Sequence, residues 1–266
     1  ILLPVYKSNL KFLKEAIESV INQTYPNWEL CIADDNSDSS ELEMILEDYA
    51  KRDHRIKFIL RETTGHISEC LNSCSELSTG DYITFLDHDD IIRPHALFNA
   101  TEIINNNNNA AFIYSDEDKI TETGDRFAPF FKPEWNPDLL MSQNYICHMA
   151  FIEGGLYKDK GGFRKGFEGS QDWDLFLRIT EDLNEKQIFH IPRILYHWRS
   201  HAGSTSKNSS CKEYVKDSSL CVLNESYKRR EIKAEAVPLE NGYFKCSYKS
   251  PHPSVSIIIP THNGGH

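Results

Sequence analysis

At 266 residues, with 39% hydrophobic and 11% aromatic side chains, the chain is long enough and apolar enough to bury a sizeable core, which excludes a disordered polymer. Its formal net charge of −11 counts against non-specific nucleic-acid binding, which needs clustered Lys and Arg to neutralise phosphates. Seven cysteines, none in a Cys-x-x-Cys pair, read as reduced thiols of a cytosolic protein, and no apolar run approaches the roughly 20 residues that span a bilayer.

Apolar runs and helical patterns alternate along most of the chain. Strands are expected at Ile1–Pro4, Trp28–Ala33, Ile56–Leu60, Tyr82–Leu86, Ala110–Tyr114, Ile146–Ile152 and Ile188–Ile191. Between them, Leu10–Gln23 places Phe12, Leu13, Ala16, Ile17 and Val20 on one helical face, and Glu41–Lys51 does the same with Leu42, Ile45, Leu46 and Tyr49. Ile67–Leu77 and His95–Ile104 are further helices, the second ending in the asparagine run 105–109, which reads as an exposed helix end and turn. This alternation predicts an α/β fold with a mostly parallel sheet flanked by helices. In such sheets ligands sit beyond the carboxyl ends of the strands. Residues 207–252 are expected to form a helix at Lys212–Arg230 followed by a linker containing Pro238 and Pro251; a membrane-surface helix carrying "YKRR" is the weaker alternative.

Two acidic clusters fall at strand ends. In "CIADDNSDSS", Asp34, Asp35 and Asp38 imitate a calcium loop, but counting from Asp34 the places for Gly and Glu hold Ser39 and Ile45, so that reading fails. Capping of the Glu41 helix accounts for residues 38–40 and leaves the two carboxylates at the strand end without an explanation. In "DYITFLDHDDIIRP", an apolar strand delivers Asp87, His88, Asp89 and Asp90 into a loop. Three carboxylates within four residues repel one another unless a cation sits among them, and hard oxygen ligands favour Mg²⁺ or Mn²⁺ with a substrate phosphate completing the shell.

Taken in order, "ILLPVY", "ADDNS", "LDHDD", "GFRKGFEGSQDWDLFLRI" and "LYHWRSHAGSTS" resemble the motifs of family-2 inverting glycosyltransferases with the GT-A (Rossmann-like) fold, over residues 1–206. The wordings "YSDEDK", "FKPEWNPDLLMSQNYICH" and "LYHWRSHAGSTS" resemble a bacterial subgroup that builds capsule or O-antigen-type surface polysaccharides, often with tandem transferase domains. The resemblance implies a nucleotide-sugar donor, UDP- or dTDP-linked, a saccharide or lipid-linked saccharide acceptor, and Mn²⁺ or Mg²⁺ as cofactor. It implies a cytoplasmic enzyme, with membrane association only through other parts of a longer protein. Asp89 is then the metal ligand and His201 a second one, with Asp87 contacting the ribose or supporting the metal. Asp35, and with it Asp34, accepts from the base; Pro4 and Tyr6 line the nucleotide pocket; Arg199 pairs with the diphosphate. Asp172, at the start of a helix where the dipole suits a carboxylate, is the base that deprotonates the acceptor hydroxyl, with Asp174 as its competitor. The family's usual acidic residue before that base is Gln171 here. A sugar nucleotidyltransferase would want a glycine-rich basic loop after the first strand, and "PVYKSN" has no glycine. A catalytically silent carbohydrate- or nucleotide-sugar-binding module is the alternative from another class. Finally, "IIIPTHNG" repeats "ILLPVYKS", so residues 253–266 are expected to be the start of a second transferase domain.

Overall fold

A computed structural model describes residues 1–201, 209–249 and 254–262. Strands β1 (Leu2–Val5), β2 (Leu30–Asp34) and β3 (Ile56–Leu60) pair in parallel, linked by helices α1 (Leu10–Ile21) and α2 (Ser40–Arg52). Helix α1 buries the five residues that its periodicity predicts, Phe12, Leu13, Ala16, Ile17 and Val20. Helix α2 is capped by the Ser39 hydroxyl, which accepts from the Leu42 amide, with Glu41 and Glu43 in its first turn and Lys51 and Arg52 in its last; both placements suit the helix dipole.

Helix α3 (His66–Glu76) leads to β4 (Tyr82–Thr84), and a bridge between Leu2 and Phe85 joins this parallel unit to a second sheet. That sheet is mixed. Its order is β4, β8 (Ala150–Glu153), β6 (Phe112–Ile120), β9 (Ile188–Arg199) and β5 (Ile91–Ile92), with β7 (Arg126–Phe130) hydrogen-bonded to β6. The pair β6–β9 is parallel; β4–β8, β6–β8, β5–β9 and β6–β7 are antiparallel. Helices α4 (Ala96–Asn106), α5 (Pro137–Leu140), α6 (Gly154–Asp159), α7 (Gln171–Thr180) and α8 (Ser209–Arg229) complete the chain, which is α/β with a parallel sheet and flanking helices.

Alternation along the strands divides the interior into two cores. Leu2, Cys31, Ala33, Phe112 and Tyr114 face one core, with Trp173, Phe176, Leu223 and Tyr227 from α7 and α8. Leu3, Val5, Leu30, Ile32 and Ile113 face the other, with the apolar sides of α1, α2 and α4.

Several boundaries differ from expectation. The strand expected at Ile188–Ile191 runs on to Arg199, because a bulge accommodates Pro192: Ser115 pairs with Ile191 and Asp116 with Ile194. The strand expected from Ile146 starts only at Ala150. The expected linker after α8 contains an antiparallel hairpin, β10 (Ala234–Pro238) with β11 (Phe244–Tyr248), and Phe244 packs on Trp173. Residues 254–262 form no strand, and Val255, Ile257, Ile258 and Ile259 are exposed; residues 263–266 of the expected second-domain start lie outside the described residues. Among the described residues no helix is long and apolar enough to cross a membrane.

Helix α7 is anchored by a buried charge. Asp174 is fully buried, accepting from Arg178 Nε at 2.8 Å and Arg164 Nε at 3.0 Å, while Arg178 also donates to the Lys160 and Gly162 carbonyls, each at 2.6 Å. Removing one partner of such a cluster strands the others without compensation. Asp174→Ala is therefore expected to lower the unfolding free energy by about 3–5 kcal/mol, read as a fall in urea midpoint at unchanged slope. A loss below about 1 kcal/mol, the scale of an exposed pair, would contradict this role.

Candidate active site

The carboxyl ends of β1, β2 and β4 open at one edge of the sheet. Pro4 is buried in β1 beside Ala33, and Tyr6, just past the strand, is 44% exposed. Asp34 ends β2 and accepts from the Ser37 amide at 3.0 Å and from the Ser37 hydroxyl. Ser37 Oγ in turn accepts from the Lys7 amide at 2.8 Å, so the loops after β1 and β2 are tied together. Asp35, also buried, accepts from the Gly65 amide at 2.9 and 3.1 Å and lies 2.9 Å from Arg61 Nε. A carboxylate has about four lone-pair sites, so Asp35 keeps capacity for a further N–H donor.

The loop after β4 is the acidic centre. Asp90 is fully buried and accepts from the Tyr196 hydroxyl at 2.6 Å and the Arg199 amide at 2.7 Å, which fastens the loop to β9. With Asp90 turned inward, the side chains of Asp87 and Asp89 stay 37% and 20% exposed. His201 brings Nε2 to 2.7 Å from Asp89 Oδ2, so the two expected metal ligands are side by side. His148 has Nε2 3.9 Å from Asp87 Oδ2, and its ring stacks on Tyr196 at 4.4 Å and meets Trp198 edge-on at 6.0 Å.

Arg199 corrects an expectation. Its guanidinium donates to the Asp89 carbonyl at 2.7 Å and to Glu15 at 2.6 Å, lies 4.4 Å from the Phe12 ring centre, and is 2% exposed. Those contacts turn it toward α1, where it braces the acidic loop from behind. Gly203, Ser204 and Thr205 of "LYHWRSHAGSTS" lie outside the described residues.

Asp172 stands at the start of α7, half-buried, and accepts from Asn144 Nδ2 at 2.7 Å. Burial pushes its carboxyl above the usual range and the charge of Asp87 adds to that, while His148, the Trp173 amide and Asn144 pull it back. The Gln171 side chain accepts from the Gly169 amide at 2.7 Å. Asn144 and His148 both belong to "NYICH", a segment with no role legible in the sequence. In "YSDEDK" the structure finds structural carboxylates: Asp116 accepts from His190 Nε2 at 2.8 Å, and Asp118 pairs with His197 and with Arg126 Nε at 2.6 Å. Burial lowers the His197 imidazole pKa against the pull of Asp118.

The donor set fits a divalent cation. Among the described residues no Lys or Arg side chain forms an ion pair with Asp87, Asp89 or Asp90; the partners of Asp87 and Asp89 are histidines. Asp87, Asp90 and His148 each offer a ligand atom within 4.8 Å of the others. Asp89, in the same loop, pairs with His201 beside this group. Burial raises the Asp87 carboxyl, with Asp89 adding to it and His148 and His88 opposing; burial with Asp87 and Asp89 drives Asp90 well up. These are the marks of negative charge packed without enough positive charge.

Comparison with known proteins agrees. The family model described as Glycosyl transferase family 2 matches residues 1–159. An uncharacterized protein, y4gI, of Sinorhizobium fredii is 42% identical over 98% of this chain and 29% of its own length. The O-antigen biosynthesis protein RfbC of Myxococcus xanthus is 33% identical over 97% of this chain and 20% of its own. This chain thus spans less than a third of either relative. The structure of S. aureus TarS 1–349 in complex with UDP-GlcNAc superposes with a TM-score of 0.64 at 18% identity, over 86% of this chain and 71% of that one, which establishes the fold. The mannosyltransferase PcManGT of Pyrobaculum calidifontis, in complex with GDP-Man and Mn²⁺, gives 0.59 at 12% identity over 85% and 72%.

Raised carboxyls give a signed prediction. Asp87, Asp90 and Asp172 bind protons more tightly folded than unfolded, so from about pH 4 up to their raised values the folded chain carries the extra protons and stability falls as pH rises. A cation held by these carboxylates would compete with those protons, more strongly opposed in acid than at neutral pH. Mn²⁺ is expected to raise the melting temperature more at about pH 7.5 than at about pH 5, and Asp89→Ala to remove the difference. Equal shifts at both pH values, or a shift that survives the substitution, would count against a cation held here.

Proposed function

The chain belongs to glycosyl transferase family 2, and from that premise we propose that it moves a sugar from a UDP-linked donor to a saccharide acceptor with inversion at the anomeric carbon. One observation carries the reading: His148 lies 3.9 Å from Asp87 of the acidic loop, where Asp89 pairs with His201, and its charge also acts on Asp172 with its Asn144 partner. A diphosphate has chemistry for the first group and an incoming hydroxyl for the second.

Each residue then has a task. Asp35, fixed by Gly65 and Arg61, accepts from the N–H on the Watson–Crick edge of the base, a donor that uracil and thymine both present. Tyr6 and Pro4 bound the base, and Asp87 receives the ribose. Asp89 and His201 would hold a divalent cation, which would supply positive charge to the departing diphosphate. Asp172 takes the proton from the acceptor hydroxyl as that oxygen attacks. Asn144, donating to Oδ2, holds the carboxylate for that transfer. A carboxyl held above the ordinary range by burial is a stronger base than a free aspartate, and a neutral hydroxyl needs one. The relatives support a place in bacterial polysaccharide assembly, since they include an O-antigen biosynthesis protein and the chondroitin synthase of Escherichia coli, 28% identical over 88% of this chain.

Asp172→Asn keeps the shape and removes the base. It is expected to cut kcat for transfer by about 10²–10⁴-fold while calorimetry shows UDP binding unchanged in the presence of Mn²⁺. Titration with UDP, dTDP and GDP should favour UDP. Full turnover by the variant would remove Asp172 from the mechanism, and a silent wild type across a panel of donors and saccharide acceptors would leave a binding module in place of an enzyme.

A further inference from the structure

We propose that Lys132 and Glu117 are positioning residues for sugar transfer: a buried ammonium–carboxylate pin that sets the 144–148 loop and, through Asn144, the orientation of the Asp172 carboxylate. The proposal rests on Asp172 being the base.

The Lys132 side chain is 0% exposed and that of Glu117 8%. An ammonium in such a place costs several kcal/mol unless its donors are met, and all three are. Lys132 Nζ donates to Glu117 Oε2 at 3.1 Å, to the Ile146 carbonyl at 2.5 Å and to the His148 carbonyl. The same Glu117 Oε2 accepts from the His148 amide at 3.0 Å, so the pair grips His148 by its N–H and its C=O together. Between the two carbonyls lies Cys147, whose φ of +37° takes the loop out of any regular structure. The carbonyls on either side of it therefore have no ladder to join, and the lysine takes the place of one.

The hydrogen bonds continue to the base. The Cys147 amide donates to Asn144 Oδ1 at 3.3 Å, which decides the orientation of that amide group and turns Nδ2 toward Asp172 Oδ2 at 2.7 Å. With the loop released, Asn144 is free to flip and offer its carbonyl oxygen to a carboxylate. The loss of that N–H removes a bond made to the charged form of Asp172, so its pKa rises further. His148, held by the same pin, also lowers the Asp172 pKa, and its release acts in the same direction. Stability alone has no need of this arrangement, since apolar side chains of similar volume fill a core as well as a buried ion pair.

The test compares Lys132→Met, Asn144→Ala and Asp172→Asn by kcat, donor and acceptor KM, UDP affinity with Mn²⁺, and the pH profile of kcat. Lys132→Met and Asn144→Ala are expected to lower kcat by about 10–100-fold, to leave UDP affinity within about twofold, and to move the acid limb of the profile to higher pH. The double variant should lose no more than the more impaired single variant. If Lys132→Met does not fold, Glu117→Gln carries the same expectation, keeping an oxygen for the ammonium while weakening the grip. An unshifted acid limb in these variants, with Asp172→Asn inactive, would overturn the pin and leave the base in place. Turnover by Asp172→Asn would instead overturn the base and the pin with it.

Discussion

The site depends on one buried carboxylate. Asp90 has no exposure, and its two oxygens receive the Tyr196 hydroxyl and the Arg199 amide, both from β9. Because consecutive residues of this loop face different ways, turning Asp90 inward leaves Asp87 and Asp89 facing out. The contact also spans the molecule: β4 reaches the parallel unit through the Leu2–Phe85 bridge, and β9 crosses the mixed sheet. Arg199 completes the brace, its amide on Asp90, its guanidinium on the Asp89 carbonyl, and its far end on Glu15 of α1. A loop of three carboxylates repels itself, and rigidity is what keeps it from relaxing by swinging apart.

The same economy of buried charge governs the middle of the mixed sheet. Three successive acidic residues on β6 are all buried, and each has its own cation or imidazole: Asp116 with His190, Glu117 with Lys132, Asp118 with His197 and Arg126. Because side chains alternate along a strand, Glu117 points to one face while its neighbours point to the other. Two register shifts, one at Pro192 and one at Leu195, set where β9 meets that pattern, so that Tyr196 lies beside Glu117 and His197 beside Asp118. Shifting the pairing by one residue would exchange the faces and separate Tyr196 from both His148 and Asp90.

The parts legible in the sequence were those that obey local rules. Helix α1 announced itself by a 3.6-residue period, the Ser39 cap by residue type, and the acidic loop by three carboxylates after an apolar strand. Asp172 was placed at a helix start, where the structure has it. His148, Asn144 and Lys132 were not legible, because their meaning lies in contacts with residues tens of positions away. Nothing about a histidine closing "NYICH" predicts that its ring stacks on Tyr196. Arg199 misled for the converse reason: beside two histidines an arginine reads as an anion binder, whereas its strand position aims it at Glu15. The hairpin β10–β11 went unseen because Pro238 and a polar composition suggest a linker, and Pro238 is tolerated at the strand's end.

The two halves of the site are thus built by different means, with consequences for how each varies. The donor side rests on the ends of β1 and β2, where parallel pairing places Asp34 and Asp35, and on the acidic loop after β4, which Asp90 fastens to β9; the matched family stretch, residues 1–159, includes those strand ends and the loop but not His201. Asp172 lies beyond that stretch, on a helix positioned by the Asp174 cluster and by Trp173, whose indole donates to the Leu140 carbonyl at 2.7 Å. Its partner Asn144 comes from a loop held by side chains. Side-chain scaffolds tolerate replacement less uniformly than a hydrogen-bonded sheet, but they also allow a loop to be reshaped without disturbing the core.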